Sequence, residues 1–389
     1  MNRACRVVTS EISARILIAA QLQALDEFRW TVIAGDEMRT SLDGVEQVQI
    51  TMRRELALAD FVSFIRLLRY FRANRFAFIQ THTPKASMLA LPAARLAGQR
   101  TVYTMHGAMY FRGNGRLANL AGWAFERWCC SWAHVVSMQS AEDTEEMPRV
   151  HACPKRKVRY QGNGIDLERF TNVPDSSSAS NGPSGSNGKQ PKCMNDPCVD
   201  LPDSNGLPVV LNISRLVKEK GCLDFFALAE RLAGKALFVH VGPQERDQRD
   251  AVGAGVIDDL SRRQIVHFVG EVNDVRPYLR AADIFVLPSF REGIPRGCME
   301  AAAMGLAVAA YDVRGVREVV PEGFGLLAPR GDIDALTETV TALLDDPAAR
   351  QAAAKACGAH VRSTFDERLV YERLRVLYAG LLNPDQPVL

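Results

Sequence analysis

The feature that most constrains this chain is a strand–helix alternation that runs, stops and then runs again. In the first stretch, short apolar runs at Arg6–Ser10, Trp30–Gly35, Phe76–Thr81, Thr101–Met105, Val135–Met138 and Val158–Tyr160 read as strands. Helix-like segments separate them. Ile12 to Phe28 carries a helical pattern, and Leu56 to Asn74 sets Phe61, Phe64, Ile65 and Leu68 on one face with arginines opposite. From Pro174 to Pro208 the composition turns to Ser, Asn, Gly, Pro and Asp, with too little apolar surface to offset the entropy of ordering. Strands then resume at Val209–Ile213, Leu237–Val241, Ile265–Val269, Ile284–Leu287 and Leu306–Ala310. Among and after them run helices at Cys222–Leu232, Val275–Ala281, Arg296–Met304, Ile333–Leu344, Pro347–Arg362 and Arg368–Leu381.

Repeated βα alternation predicts parallel sheets covered by helices on both faces. Two such sheets joined by a linker predict an α/β chain with a ligand cleft at the carboxyl ends of the strands. The expected division is 1–172, a flexible insertion 173–208, 209–365, and a terminal helix in 366–389 that packs back toward the first domain. A length of 389 residues agrees with two cores rather than one.

Composition adds exclusions. Hydrophobic residues make up 47% and charged residues 24%, values of a folded globular chain. No uninterrupted apolar run is long enough to span a bilayer, and the charged Met1–Arg6 start lacks the apolar core of a secretion signal. Nine scattered cysteines without a C-x-x-C pair suit reduced thiols in a cytoplasmic protein. The net charge of +2 hides an asymmetry, because no acidic residue falls between Asp60 and Glu126. Arg66, Arg69, Arg72, Arg75, Lys85, Arg95, Arg100, Arg112 and Arg116 all lie there. That stretch suits an anionic membrane surface, a diphosphate or a nucleic acid, and equally a solvated helix face. No aromatic-basic recognition motif accompanies it, so nucleic acid is not expected as a partner.

Chemistry concentrates in Ser289–Gly305, where Glu292 and Glu300 lie on either side of Gly293 and Pro295. The segment follows a strand and enters a helix, with Pro295 suited to its first turn. Amides near Ile294–Gly297 would then receive a diphosphate at a helix N-terminus. Two carboxylates at different depths can accept hydrogen bonds from two sets of hydroxyl groups. Arg215 and Lys220 follow the strand Val209–Ile213 and would neutralise the phosphates of a leaving group. Asp332-Ile333-Asp334 is the only D-x-D match. It follows Gly331 and precedes a helix, so Asp332 reads as an N-cap, and no metal ion or cofactor is expected.

The spacing from Arg215 to Lys220, the Glu292…Glu300 pair and Asn163-Gly164-Ile165-Asp166 resemble glycosyltransferase family 4. Thr81-His82-Thr83-Pro84-Lys85-Ala86 and Thr104-Met105-His106-Gly107 resemble its bacterial members that assemble exopolysaccharide and lipid-linked oligosaccharide. The resemblance implies the GT-B fold, two doubly wound Rossmann-like domains facing across a cleft. It also implies a retaining, metal-independent transfer from a nucleotide-diphosphate sugar, UDP-sugar first, to a lipid-linked or polysaccharide acceptor. Carried over by position, Glu292 binds the transferred sugar, with the Gly293 and Ile294 amides near the phosphates. Glu300 binds the ribose, Arg215 and Lys220 hold the diphosphate, and Val272 lies by the nucleobase. His106 faces the reacting sugar. Ser13 is a candidate for the acceptor side, because Ser10-Glu11-Ile12-Ser13 stands in place of the family's Gly-Gly loop, and Lys85 is another, with the arginines of Arg66–Arg75, toward an anionic polyprenyl diphosphate. The expected setting is cytoplasmic, with peripheral contact at an anionic membrane. The alternatives are a GT-B sugar-nucleotide epimerase and a non-catalytic nucleotide-sugar-binding partner.

Overall fold

The computed structural model describes residues 2–52, 58–111, 114–171, 201–245, 248 and 250–383. Most of the expected insertion at 173–208, with Cys193 and Cys198, lies outside them. The chain divides into two compact units, Met1–Asn163 with Arg368–Leu389, and Gly164–Glu367.

The first unit holds β1 (Asn2–Val7), α1 (Glu11–Leu17), α2 (Ala19–Ala24), β2 (Phe28–Ala34), β3 (Glu46–Gln49), α3 (Ala59–Ala73), β4 (Ile79–Thr81) and α4 (Pro84–Leu96). It continues with β5 (Thr101–Met105), α5 (Arg116–Trp132), β6 (Val135–Met138), α6 (Ala141–Arg149) and β7 (Val158–Tyr160). Its sheet runs β3-β2-β1-β4-β5-β6-β7, every pairing parallel.

The second unit holds β8 (Val209–Ile213), α7 (Cys222–Arg231), β9 (Leu237–Val241), α8 (Ala254–Arg262), β10 (His267–Gly270), α9 (Arg276–Ala281) and β11 (Ile284–Leu287). After these come α10 (Arg296–Ala303), β12 (Ala307–Asp312), α11 (Val316–Val319), β13 (Leu327–Pro329), α12 (Ile333–Asp345) and α13 (Pro347–Thr364). The sheet order is β10-β9-β8-β11-β12-β13, again parallel. Strand order reverses between β8 and β11, the switch point at whose carboxyl ends open parallel sheets place their ligands.

The last helix, α14 (Glu367–Leu382), lies almost wholly in the first unit. Tyr378 stacks on Phe78 with ring centroids 4.3 Å apart, and its hydroxyl donates to Gln80 Oε1 at 2.5 Å. At the other boundary, residues 164–171, expected in the first domain, belong to the second unit. There the Ile165 amide donates to the Phe365 carbonyl at 2.9 Å.

Several local expectations shift for physical reasons. The helix expected over Ile12–Phe28 breaks at Ile18, whose backbone leaves helical geometry. It ends early because Phe28 joins β2, packing edge-on against Phe78 and Tyr378. Strand β1 starts at Asn2 and ends at Val7 rather than spanning Arg6–Ser10. Arg6, next to its last residue, is fully buried, donating to Gln21 Oε1 at 2.8 Å and the Tyr378 hydroxyl at 3.0 Å, with its guanidinium over Trp30. On α3 the packed face is Ser63, Leu67 and Phe71, while Phe61 is exposed. The Ser63 hydroxyl bonds the Thr51 and Ala59 carbonyls at 2.6 and 3.1 Å, which turns that side of the helix inward. β10 begins two residues later than expected, at His267, and carries a register shift between Phe268 and Gly270. Strand β3, reading Glu-Gln-Val-Gln, is polar because it lies at a sheet edge. It has no apolar signature to read.

Candidate active site

The loops after β8 and β11 are laced together. The Phe290 amide donates to the Glu219 carbonyl at 2.9 Å, and the Ser289 hydroxyl reaches that same carbonyl at 3.3 Å. Beneath them Asn212 Nδ2 donates to the Val286 carbonyl at 2.7 Å, joining the two strands at their ends. Gly221 turns at φ +69 against the Pro288 carbonyl, where any Cβ would sit 1.7 Å from that oxygen. Gly315, at φ +77, presses the Gly293 carbonyl in the same way, with 1.4 Å for a Cβ. Only glycine fits such a conformation and approach together.

This lacing brings Lys220 to Glu292: Nζ and Oε1 are 2.7 Å apart, with side chains 20% and 10% exposed. The pair is short, partly buried and still reached by solvent. Arg215 Nη1 lies 2.9 Å from Glu245 Oε2 on the loop after β9. Glu300 sits one turn into α10, largely buried, with Arg296 Nε 3.6 Å away. Burial raises its pKa above the ordinary carboxylate value, against the pull of the Arg296 and Arg169 cations.

Pro295 is the N-cap of α10, one position before the first turn where it was expected. The first intrahelical bond runs from the Met299 amide to the Pro295 carbonyl at 3.3 Å. The amides of Arg296, Gly297 and Cys298 thus have no intrahelical acceptor. Ala301–Ala303 are buried, and Gly358 of α13 packs against the Ala302 carbonyl, so the helix lies close on its neighbours. Gly293 and the buried Ile294 sit between Glu292 and the helix. Val272 is partly buried against the core, just after β10. Asp332 caps α12, accepting from the Ala335 amide at 3.0 Å. Among the described residues no group of three or more His, Cys, Asp or Glu is arranged to hold a metal ion.

The candidates of the first unit are placed differently. His106 follows β5, with Nδ1 3.1 Å from Gln139 Oε1 and Nε2 3.2 Å from His82 Nδ1. With the Gln139 carbonyl accepting, His106 Nδ1 donates and its Nε2 accepts from His82. Burial pushes the His106 pKa down to about 4 and holds that of His82 well below its ordinary value. Both rings are neutral at pH 7, and both His106 nitrogens are engaged within the unit. Lys85 is buried on α4 and ion-paired to Asp60 at the start of α3. The Ser13 amide and hydroxyl both meet Ser10 Oγ, the N-cap of α1, at 3.3 and 2.9 Å. His82, Gln139, Glu245, Gly221 and Gly315 were not assigned roles from sequence. Gly221 adjoins Lys220 and His82 lies within Thr81–Ala86, weak signals of such contacts, whereas Gln139, Glu245 and Gly315 stand in none of the motifs named above.

Residues 17–169 match the family model described as Glycosyltransferase Family 4, and residues 207–346 match that of Glycosyl transferases group 1. The chain is 34% identical over 177 residues to an N,N'-diacetylbacillosaminyl-diphospho-undecaprenol alpha-1,3-N-acetylgalactosaminyltransferase of Campylobacter jejuni. That match covers 45% of this chain and 46% of the relative, less than half of its length. It is 25% identical over 304 residues to the UDP-Gal:alpha-D-GlcNAc-diphosphoundecaprenol alpha-1,3-galactosyltransferase of Escherichia coli, covering 76% and 74% of the two chains. Among solved structures, a sucrose-phosphate synthase from Thermosynechococcus elongatus superposes with a TM-score of 0.79 at 19% identity, covering 99% and 100% of the chains. Anabaena HepE in complex with UDP-glucose gives 0.77 at 17%, covering 98% and 100%. These low identities speak for the fold, and the two domain models, in this order along the chain, speak for the family. The chain belongs to the family 4 glycosyltransferases of GT-B fold.

Proposed function

We propose that the chain transfers a hexose from a nucleotide-diphosphate sugar, UDP-sugar first, to a lipid-linked or polysaccharide acceptor, with retention and without a metal ion. The observation that carries this reading is the Lys220–Glu292 pair at the strand switch of the second unit, with Arg215 on the loop after β8 and Glu300 in the helix that follows Glu292. Its relatives' names support the acceptor class, since two of them act on diphosphoundecaprenol-linked sugars.

In this reading Arg215, Lys220 and the amides at the start of α10 take the diphosphate. Glu292 turns from Lys220 to the sugar hydroxyls, Glu300 accepts from the ribose, and Val272 lies beside the base. The bond from the anomeric carbon to the phosphate oxygen breaks on the face where the acceptor oxygen attaches. The acceptor proton passes to the departing phosphate, so no carboxylate base is needed, and the cations stabilise the charge that develops there. His106, a neutral ring, and Ser13 in the first turn of α1 serve the acceptor side. Lys85, tied to Asp60, steadies α4 behind them.

Membrane contact is part of the proposal. Leu58, Phe61 and Val62 are exposed at the start of α3 beside Arg66, Arg69 and Arg72, and Leu117 and Leu120 are exposed on α5 beside Arg116. Apolar side chains with adjacent cations suit an anionic lipid surface.

A panel of nucleotide sugars offered with a polyprenyl-diphosphate-linked sugar tests the reading. One donor should give a glycosylated product of retained configuration in the presence of a chelator. Nucleotide-sugar epimerisation without transfer would replace the proposal.

A further inference from the structure

Each cation assigned to the diphosphate already holds a carboxylate. Lys220 holds Glu292, which has work to do on the sugar. Arg215 holds Glu245, which has none assigned.

Glu245 is delivered to Arg215 by construction. The loop after β9 is zipped along the loop after β8: the Leu216 amide donates to the Pro243 carbonyl and the Val252 amide to the Leu216 carbonyl, both at 3.0 Å, and Val217 bridges Ala251. Gly242, at φ +145, lets the two backbones meet, since a Cβ there would lie 1.9 Å from the Ser214 carbonyl. The ion pair itself is open to water, its side chains 40% and 26% exposed. Such a pair is weak and exchangeable. Among the described residues the Arg215 hydrogen bond to Glu245 runs through Nη1, and the other edge of the planar fork can meet another anion. A carboxylate left beside an incoming diphosphate repels it, and one that can leave competes with it.

Resting on the reading of the site given above, we infer that Glu245 is a displaceable counter-ion that competes with the nucleotide diphosphate for Arg215. The nucleoside diphosphate released after transfer carries more negative charge than the donor's diphosphate diester, and so would cling to the cations. A resident carboxylate re-engaging Arg215 favours its departure. Glu245 therefore tunes donor affinity and product release without touching the sugar.

Glu245→Gln separates this role from one of merely orienting Arg215, because the amide oxygen still accepts the hydrogen bond while the charge is gone. Calorimetric titration of the full chain with UDP and with GDP, at fixed ionic strength, reads the effect. For the nucleotide that binds the native chain, Glu245→Gln should bind about tenfold tighter. In turnover the donor KM should fall by a similar factor while kcat stays level or drops. Unchanged or weaker binding by Glu245→Gln overturns the inference and leaves the site itself standing, provided Arg215→Ala weakens binding. If Arg215→Ala binds as the native chain does, or if neither nucleotide binds the native chain, the reading of the site fails and this inference falls with it.

Discussion

The candidate residues of the second unit and those of the first sit under opposite physical conditions. Arg215, Lys220, Glu292 and Glu245 are charged, paired with one another and reached by solvent, on loops at the carboxyl ends of β8, β9 and β11. His106, His82, Lys85 and Ser13 are buried or engaged by near neighbours, and the two histidines are held neutral. Exchangeable ion pairs are what a site for a charged, departing ligand needs. A locked neutral network suits the presentation of a shape. Under the proposed function, the electrostatic work falls to the second unit and the positioning work to the first.

The largest effect expected from breaking this contrast is on the charged side. Glu292→Gln and Lys220→Ala should each lower kcat/KM by about 100-fold or more, with thermal unfolding near that of the native chain. Comparable activity in either variant would move the chemistry elsewhere.

The next effect is structural and probes why those charges meet. Gly315→Ala should cost about 2 kcal/mol or more, read by denaturant unfolding, because its φ and the Gly293 carbonyl both refuse a side chain. A neutral outcome would mean that the Glu292 loop is not pinned there.

Acid should expose the buried histidines. His106, with its pKa lowered to about 4, and His240, lowered by burial to about 3, bind a proton more readily when unfolded. Between those values and the ordinary histidine value near 6.5, the unfolded state takes up more protons. Stability is then lost as pH falls through that window. Glu300, raised in the fold, contributes a smaller change of the opposite sign. The melting temperature should fall steadily from pH 7 to pH 5, and kcat should show no inflection from His106 near pH 6.5. The smallest effect is assigned to Ser13→Ala, within about twofold in turnover, since Ser10 rather than Ser13 caps α1.

What sequence reveals here follows the same contrast. Strands such as Thr101–Met105, Val209–Ile213 and Ile284–Leu287 are buried on both faces and mostly apolar, and so are readable to the residue. The charged motif residues were readable because Arg215 and Lys220 follow one strand, and Glu292 and Glu300 another. Glu245 was not, since its meaning comes from a loop zipped alongside by Gly242. Nor was the His82–His106–Gln139 chain, which three separate strand ends assemble. The buried face of α3 differs from the expected one because Ser63, bonded to the Thr51 carbonyl, shares it with Leu67 and Phe71, and a serine carries no apolar signal.

Where the donor binds is the deciding question, and hydrogen exchange of the full chain with and without a nucleotide-diphosphate sugar locates it. Protection should gather in Ser214–Gly221 and in Glu292–Glu300, and should vanish in Lys220→Ala. Protection confined to other segments, or unchanged in that variant, would contradict the assignment of these loops to the donor.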